Sequence, residues 1–291
     1  MLDDSDTWTE LLGKKLKENF VSVWINNAGL DGHTTFGHIV LMRDYIVSIK
    51  PKIALFLLGI NDVGTTAPKS YDESRYRLGM ADNDRLVAAL AEKLEIVSTV
   101  LNLYRYKEAV SRGLAHRVVQ ISDATVDFNL LGVSDDSSDT TGAVLAIHAE
   151  EFIPAYKNRL RELIDLTKSN GIEPVFITQP VIYGEGVDDI TGKDLSLISV
   201  PIDIGLHTES MSGRQAWEFL ELYNEAARQV AREQDIFLVD LARQMPKSTE
   251  YYYDFVHYSK TGSEKVAATI YQSLCPYLGE NQAHFATRPC E

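Results

Sequence analysis

The sequence predicts an α/β domain: one parallel sheet covered by helices on both faces. Two patterns carry the prediction. Short apolar runs such as residues 53–58 fit strands buried on both faces, and they alternate with longer stretches in which apolar residues recur at helical spacing. Size agrees, because 291 residues can bury a sizeable core. No internal repeat or interdomain linker interrupts the alternation, so 1–291 reads as a single domain.

The elements follow in order. Thr7-Trp8-Thr9-Glu10 fits a capping box, with Thr7 placed to accept from the amide of Glu10. Leu11, Leu12 and Leu16 then extend a helix towards Phe20. Residues 21–26 read as a strand, followed by a turn rich in glycine. A helix fits 35–49 and is closed by Pro51, which disfavours helix in the residue before it. The strand 53–58 ends at Gly59. From 65 to 147 the pattern is irregular and reads as an insertion, with an amphipathic helix over 84–112 and a polar loop over 135–142. A helix over 149–169 stops at Gly171, and a strand covers 174–178. A second insertion, 179–212, precedes a helix over 214–233, a strand over 236–239 and a last helix over 261–274.

Composition narrows the function. Lys plus Arg is 28 against 42 for Asp plus Glu, a formal charge of −14, which repels phosphate backbones and anionic membranes. Nucleic acid is therefore not an expected partner. No apolar run approaches the ~18 residues of a membrane span. No signal peptide is visible at Met1-Leu2-Asp3-Asp4, and a soluble cytoplasmic location is the default. Cys275 and Cys290 could pair, but two cysteines form no disulfide framework and no metal pattern. His33 and His38 lack a third ligand, so no metal or other cofactor is expected.

Three spots could carry chemistry. Asn27-Ala28-Gly29-Leu30-Asp31-Gly32 follows one expected strand, and Gly59-Ile60-Asn61-Asp62 follows the next. Asp254-Phe255-Val256-His257 precedes the final helix. In an open parallel sheet, ligands bind at the carboxyl ends of strands. Gly32 lets backbone approach a substrate and can aim its N–H at an oxyanion, and Asn61 offers an amide for the same charge. Asp254 can fix the tautomer of His257, which then works as a general base. Taken singly, Gly29 and Gly32 read as turn glycines, Asn61-Asp62 as a turn pair and His257 as a packed surface histidine. Only their combination in this order overturns those readings.

In that combination the sequence resembles the SGNH, or GDSL-like, hydrolase and esterase family. Gly32 matches its oxyanion glycine, Gly59-Ile60-Asn61-Asp62 its Gly-x-Asn-Asp block, and Asp254 to His257 its Asp-x-x-His block. The resemblance implies a three-layer αβα fold with a flavodoxin-like strand order (2-1-3-4-5) and a serine esterase acting by acyl transfer on a small-molecule ester. That ester could be a simple acyl ester, an O-acetylated sugar or a lysophospholipid. The family's first block, Gly-Asp-Ser after a central strand, has no good match. Trp8 corresponds to the tryptophan that follows that block by about a dozen residues, so the nucleophile is expected upstream of Met1. Ser5, in Asp4-Ser5-Asp6-Thr7, has too few residues before it for a strand and is better explained as a polar lead-in to the helix. Without the first strand its two neighbours need new partners, by closing the gap or by recruiting another chain in a homo-oligomer. A non-catalytic binding protein on the same fold is the alternative.

Overall fold

A computed structural model describes residues 4–30, 32–69, 72, 99, 107, 125–134, 140–205 and 208–290. Helix α1, Trp8–Leu16, starts as expected: the Thr7 hydroxyl accepts from the Glu10 amide. Helix α2, Thr35–Leu41, passes through a π turn, Met42–Ile46, into α3, Val47–Ile49, and stops where Lys50 turns left-handed at φ 55°. Strand β1, Ile53–Leu58, leads into a 3₁₀ turn, Ile60–Asp62. After the first insertion come α4, Thr140–Ile147, a π turn at His148–Phe152, and α5, Ile153–Ser169. Strand β2 is Glu173–Thr178. The antiparallel pair β3, Ser199–Asp203, and β4, Thr208–Ser212, precedes α6, Gly213–Glu233. Strand β5, Leu238–Val239, the short α7, Leu241–Gln244, and α8, Lys260–Asn281, complete the chain.

The fold is α/β, with strands β1, β2 and β5 parallel in that order. Successive residues of a strand point to opposite faces. Val175, Phe176 and Ile177 of β2 are all fully buried, so both faces of the sheet are covered. Helix α5 packs on both α2 and α6, with α5 and α6 against β2, while α1 packs on α8, which reaches β5.

Four expectations change. Residues 21–26 do not form a strand: Val21 and Ser22 lie in a turn, Ser22 at φ 58°, and 23–26 stay outside the sheet, with Val21 49% and Trp24 65% exposed. A strand needs a ladder partner, and among the described residues no strand stands between this segment and β1. Its start finds a substitute in the C-terminal tail, where Phe20 bridges Ala286 and the Val21 amide donates to the Phe285 carbonyl at 2.9 Å. Helix begins at Thr140, inside the segment expected to be loop, and the second insertion contains the β3–β4 pair because polar and apolar residues alternate there, as in the buried–exposed pattern of β3. The last helix runs through Pro276 to Asn281, held by burial of Leu274, Cys275 and Leu278. The helix expected over 84–112 lies outside the described residues except for Thr99 and Lys107, both helical.

Cys275 and Cys290 form a disulfide. It secures the tail against the end of α1, where the Asn19 side chain donates to the Pro289 carbonyl and Thr287 donates to the Asn19 carbonyl. Among the described residues no helix is long and apolar enough to cross a membrane.

Candidate active site

Gly32 and Asn61 arrive from different elements and meet at His33. Gly32 takes φ 70° in the turn closed by the His33 amide on the Leu30 carbonyl, a backbone that suits glycine in the third position of such a turn. The Asn61 amide donates to the His33 carbonyl at 3.1 Å, leaving its second hydrogen for another acceptor. Beneath them lies a buried ionic cluster. Thr35, at the start of α2, donates its N–H and its hydroxyl to the Asp62 carboxylate, at 3.0 and 2.7 Å. Arg159 of α5 donates to the Thr35 oxygen at 2.7 Å and to Asp62 at 3.2 Å. Burial raises the Asp62 pKa above the usual carboxylate value, against the hydrogen bonds of Thr35 and the Arg159 charge. A second buried carboxylate, Asp72, accepts from the amide and hydroxyl of Thr34, the residue that caps α2.

The loop after β1 is braced from the other side. The Gly64 amide donates to the Tyr223 hydroxyl at 2.8 Å, and that hydroxyl lies 3.2 Å from Nδ1 of His148. Nε2 of His148 is 3.2 Å from the Ile204 carbonyl. A carbonyl only accepts, so Nε2 carries the proton and Nδ1 accepts from Tyr223. Burial lowers the His148 pKa, which suits a neutral ring in this chain of bonds. Gly64 and Gly205 touch backbone to backbone at positive φ, and a Cβ on Gly64 would lie 2.3 Å from the Ile204 carbonyl.

Asp254 and His257 form the second pair. Nδ1 of His257 is 2.7 Å from Asp254 Oδ2, while Asp254 Oδ1 accepts the amides of Val256 and His257 at 2.8 and 2.7 Å. Burial would raise the Asp254 pKa, but the bonds from His257 and the two amides outweigh it and hold the carboxyl below its ordinary value. The carboxylate therefore stays ionised and favours the proton on Nδ1, turning Nε2 into the basic nitrogen. The Tyr253 ring stacks nearly parallel to the imidazole, centroids 5.8 Å apart.

Both pairs belong to one edge of the sheet. Leu58 of β1 pairs with Thr178 of β2, so Gly59 and Gln179 emerge side by side. Asn224 of α6 grips the Gln179 backbone at both its N–H and its carbonyl, at 2.9 and 3.1 Å. Tyr258, next to His257, lies against the Gln179 side chain. The Ile182 amide also donates to the Phe255 carbonyl at 3.2 Å. Gly59, two residues before Asn61, and Tyr258, the neighbour of His257, thus both lie against Gln179 at the carboxyl end of the strands, where ligands bind in such sheets.

A family model for GDSL-like lipases and acylhydrolases matches residues 2–265. The chain belongs to the GDSL-like lipase/acylhydrolase family. Membership supports hydrolase activity in general terms. Among solved structures, this GDSL-like protein is similar to LAE5, an alpha/beta hydrolase enzyme from the metagenome of Lake Arreo, Spain. Identity is 14% over 92% of this chain and 81% of that one, with a TM-score of 0.44. No curated protein matches.

Other sequence candidates fall elsewhere. Ser5 is exposed in a 3₁₀ turn, Asp4–Asp6, and its carbonyl accepts from Lys14 at 3.3 Å. Asp6 pairs with Lys260 at 3.0 Å, which sets this turn against the start of α8, three residues beyond His257. The His33 and His38 rings lie 6.2 Å apart, and among the described residues no cluster of three metal-binding side chains exists. Sequence reasoning missed Thr35, Arg159, His148, Tyr223, Asn224 and Gln179. One signal was available for Arg159: it sits on the apolar stripe of α5, between Tyr156 and Leu163.

Proposed function

We propose that this GDSL-like protein is a serine esterase acting on a small carboxylic ester by acyl transfer. His257 serves as general base, Asp254 orients it, and the Gly32 N–H and Asn61 amide stabilise the tetrahedral oxyanion. The single observation that carries this reading is the 2.7 Å contact of His257 Nδ1 with Asp254, made at the strand ends that also hold Asn61. The nucleophile block is absent or displaced in this chain. Ser5 is the displaced candidate, because the Asp6–Lys260 pair brings its turn beside the helix that follows His257.

Among the described residues no strand pairs with the side of β1 away from β2, which supports a further part of the reading: a strand, from a second copy or from added sequence, completes the sheet there. The disulfide favours an oxidising compartment over the cytoplasm.

The lack of a Gly-Asp-Ser match favours a second reading, a binding protein on a hydrolase fold. Reaction with an organophosphonate probe followed by peptide mapping separates the two. Label on Ser5, lost in His257→Ala, names the displaced nucleophile, and label on another serine with the same dependence names a substitute. No label on any serine overturns the esterase reading for this chain.

A further inference from the structure

We infer that Asp188, buried within the second insertion, is a positioning residue for the Asp254–His257 pair. Asp188 is fully buried and its carboxylate collects five hydrogen bonds. Oδ2 accepts from the amide and hydroxyl of Thr191, at 3.0 and 2.6 Å, and from the Thr249 hydroxyl at 2.9 Å. Oδ1 accepts from the Ser248 hydroxyl at 3.1 Å and the Thr249 amide at 3.0 Å. A buried carboxylate is tolerable when donors replace its water. These bonds outweigh the burial that opposes them and hold the Asp188 pKa down to about 2.

Ser248 and Thr249 are the entry to the loop that carries the pair. The Tyr251 amide closes on the Ser248 carbonyl at 3.0 Å. From there the limbs of the loop are laced together: the Ser259 amide donates to Tyr251, Tyr252 bridges Tyr258, and the Tyr253 amide donates to the His257 carbonyl at 3.2 Å. The exit limb is fixed by the cap of α8, where Ser259 accepts from the Gly262 amide at 3.0 Å. The entry limb is fixed by Asp188, whose own backbone is locked by bonds with Gly192 and Lys193. Asp188 touches neither Asp254 nor His257, yet it sets where their loop begins. A carboxylate suits this post because every partner is a donor, whereas an amide would turn its own N–H groups against some of them.

The consequence for catalysis rests on the esterase reading; the geometry does not. The His257 titration midpoint, read by proton NMR on the full chain without substrate, tests the proposal. Contact with Asp254 favours the charged ring, so loosening the loop lowers the midpoint. Asp188→Asn is expected to lower it, by less than Asp254→Asn does. An unchanged midpoint in folded Asp188→Asn overturns the proposal. If that variant does not fold, Thr249→Val, which keeps the carboxylate and removes one donor, is read in the same way: a smaller drop supports the proposal and no drop overturns it. Hydrolysis plays no part in the readout. Failure of the esterase reading, through hydrolysis that survives His257→Ala or through no serine taking the organophosphonate label, would therefore leave this one standing.

Discussion

Thr35 gives both its amide and its hydroxyl to Asp62, so the turn carrying Gly32 and the loop carrying Asn61 are fastened together below the surface. Thr35→Val keeps the shape but leaves Arg159 and Asp62 each short of a partner, and should lower stability by about 1–3 kcal/mol. Arg159→Met strips the buried carboxylate of its cation and should cost about 3–5 kcal/mol. Urea denaturation monitored by far-UV dichroism measures both, and an Arg159→Met variant as stable as the parent would show that the cluster contributes nothing.

The side of β1 away from β2 has no paired strand among the described residues, and residues 21–26 form no ladder with it. The chain as it stands should hydrolyse a short-chain aryl ester poorly. Adding an apolar strand that ends in Gly-Asp-Ser ahead of residue 1 should raise the rate, and His257→Ala in the extended form should remove about 10²–10⁴ of it. Robust hydrolysis that survives His257→Ala contradicts the assignment.

The Asn61 side-chain amide donates one hydrogen to the His33 carbonyl, and on the esterase proposal the other serves the oxyanion. In the extended form, Asn61→Ala should lower kcat by about 10²–10³ with little change in KM, because the interaction strengthens only in the transition state. An equal loss spread into KM would mean that Asn61 binds the ground state.

Asp188 makes the protein sensitive to acid. Its folded pKa of about 2 lies below the ordinary 3.8, so the carboxylate stabilises the fold above pH 4. That contribution, about 2 kcal/mol, is lost as pH falls from about 4 towards 2, where the folded state too takes up the proton. Stability of the parent should drop through that window, and Asp188→Asn should flatten the drop. Denaturant midpoints at a series of pH values decide it.

Reducing the Cys275–Cys290 bridge, which spans 15 residues, should lower stability by about 3 kcal/mol on the loop-closure scale. The tail would then release Phe20 and Asn19 first, and hydrogen exchange at Val21 and Thr287 should rise before exchange in β2. A uniform rise across the chain would show that the tail is not a separate unit.

Local features were legible in the sequence and long-range ones were not. The Thr7 cap, the apolar run of β1 and the three-residue step from Asp254 to His257 are each set by neighbours in the chain. Residues 21–26 misled because their pattern fits a strand, while strandhood depends on a partner that no local signal reports. The long-range roles of Asp188 and His148 carry no local mark: Thr191 is a near neighbour of Asp188, but Ser248 lies 60 residues from it and Ile204 lies 56 from His148. Gly32, Asn61, Asp254 and His257 were singled out by the order of their motifs along the chain, a signal that needs no long-range partner to be read.

The Gly64–Gly205 contact carries a consequence for divergence. Each position lacks room for even a methyl group, since a Cβ on Gly205 would lie 2.0 Å from the Gly64 carbonyl oxygen. Neither residue can acquire a side chain while the other holds its place. Drift at either site is blocked until the β3–β4 arm shifts, so relatives that lose one of these glycines should be found with that arm rebuilt against the loop after β1.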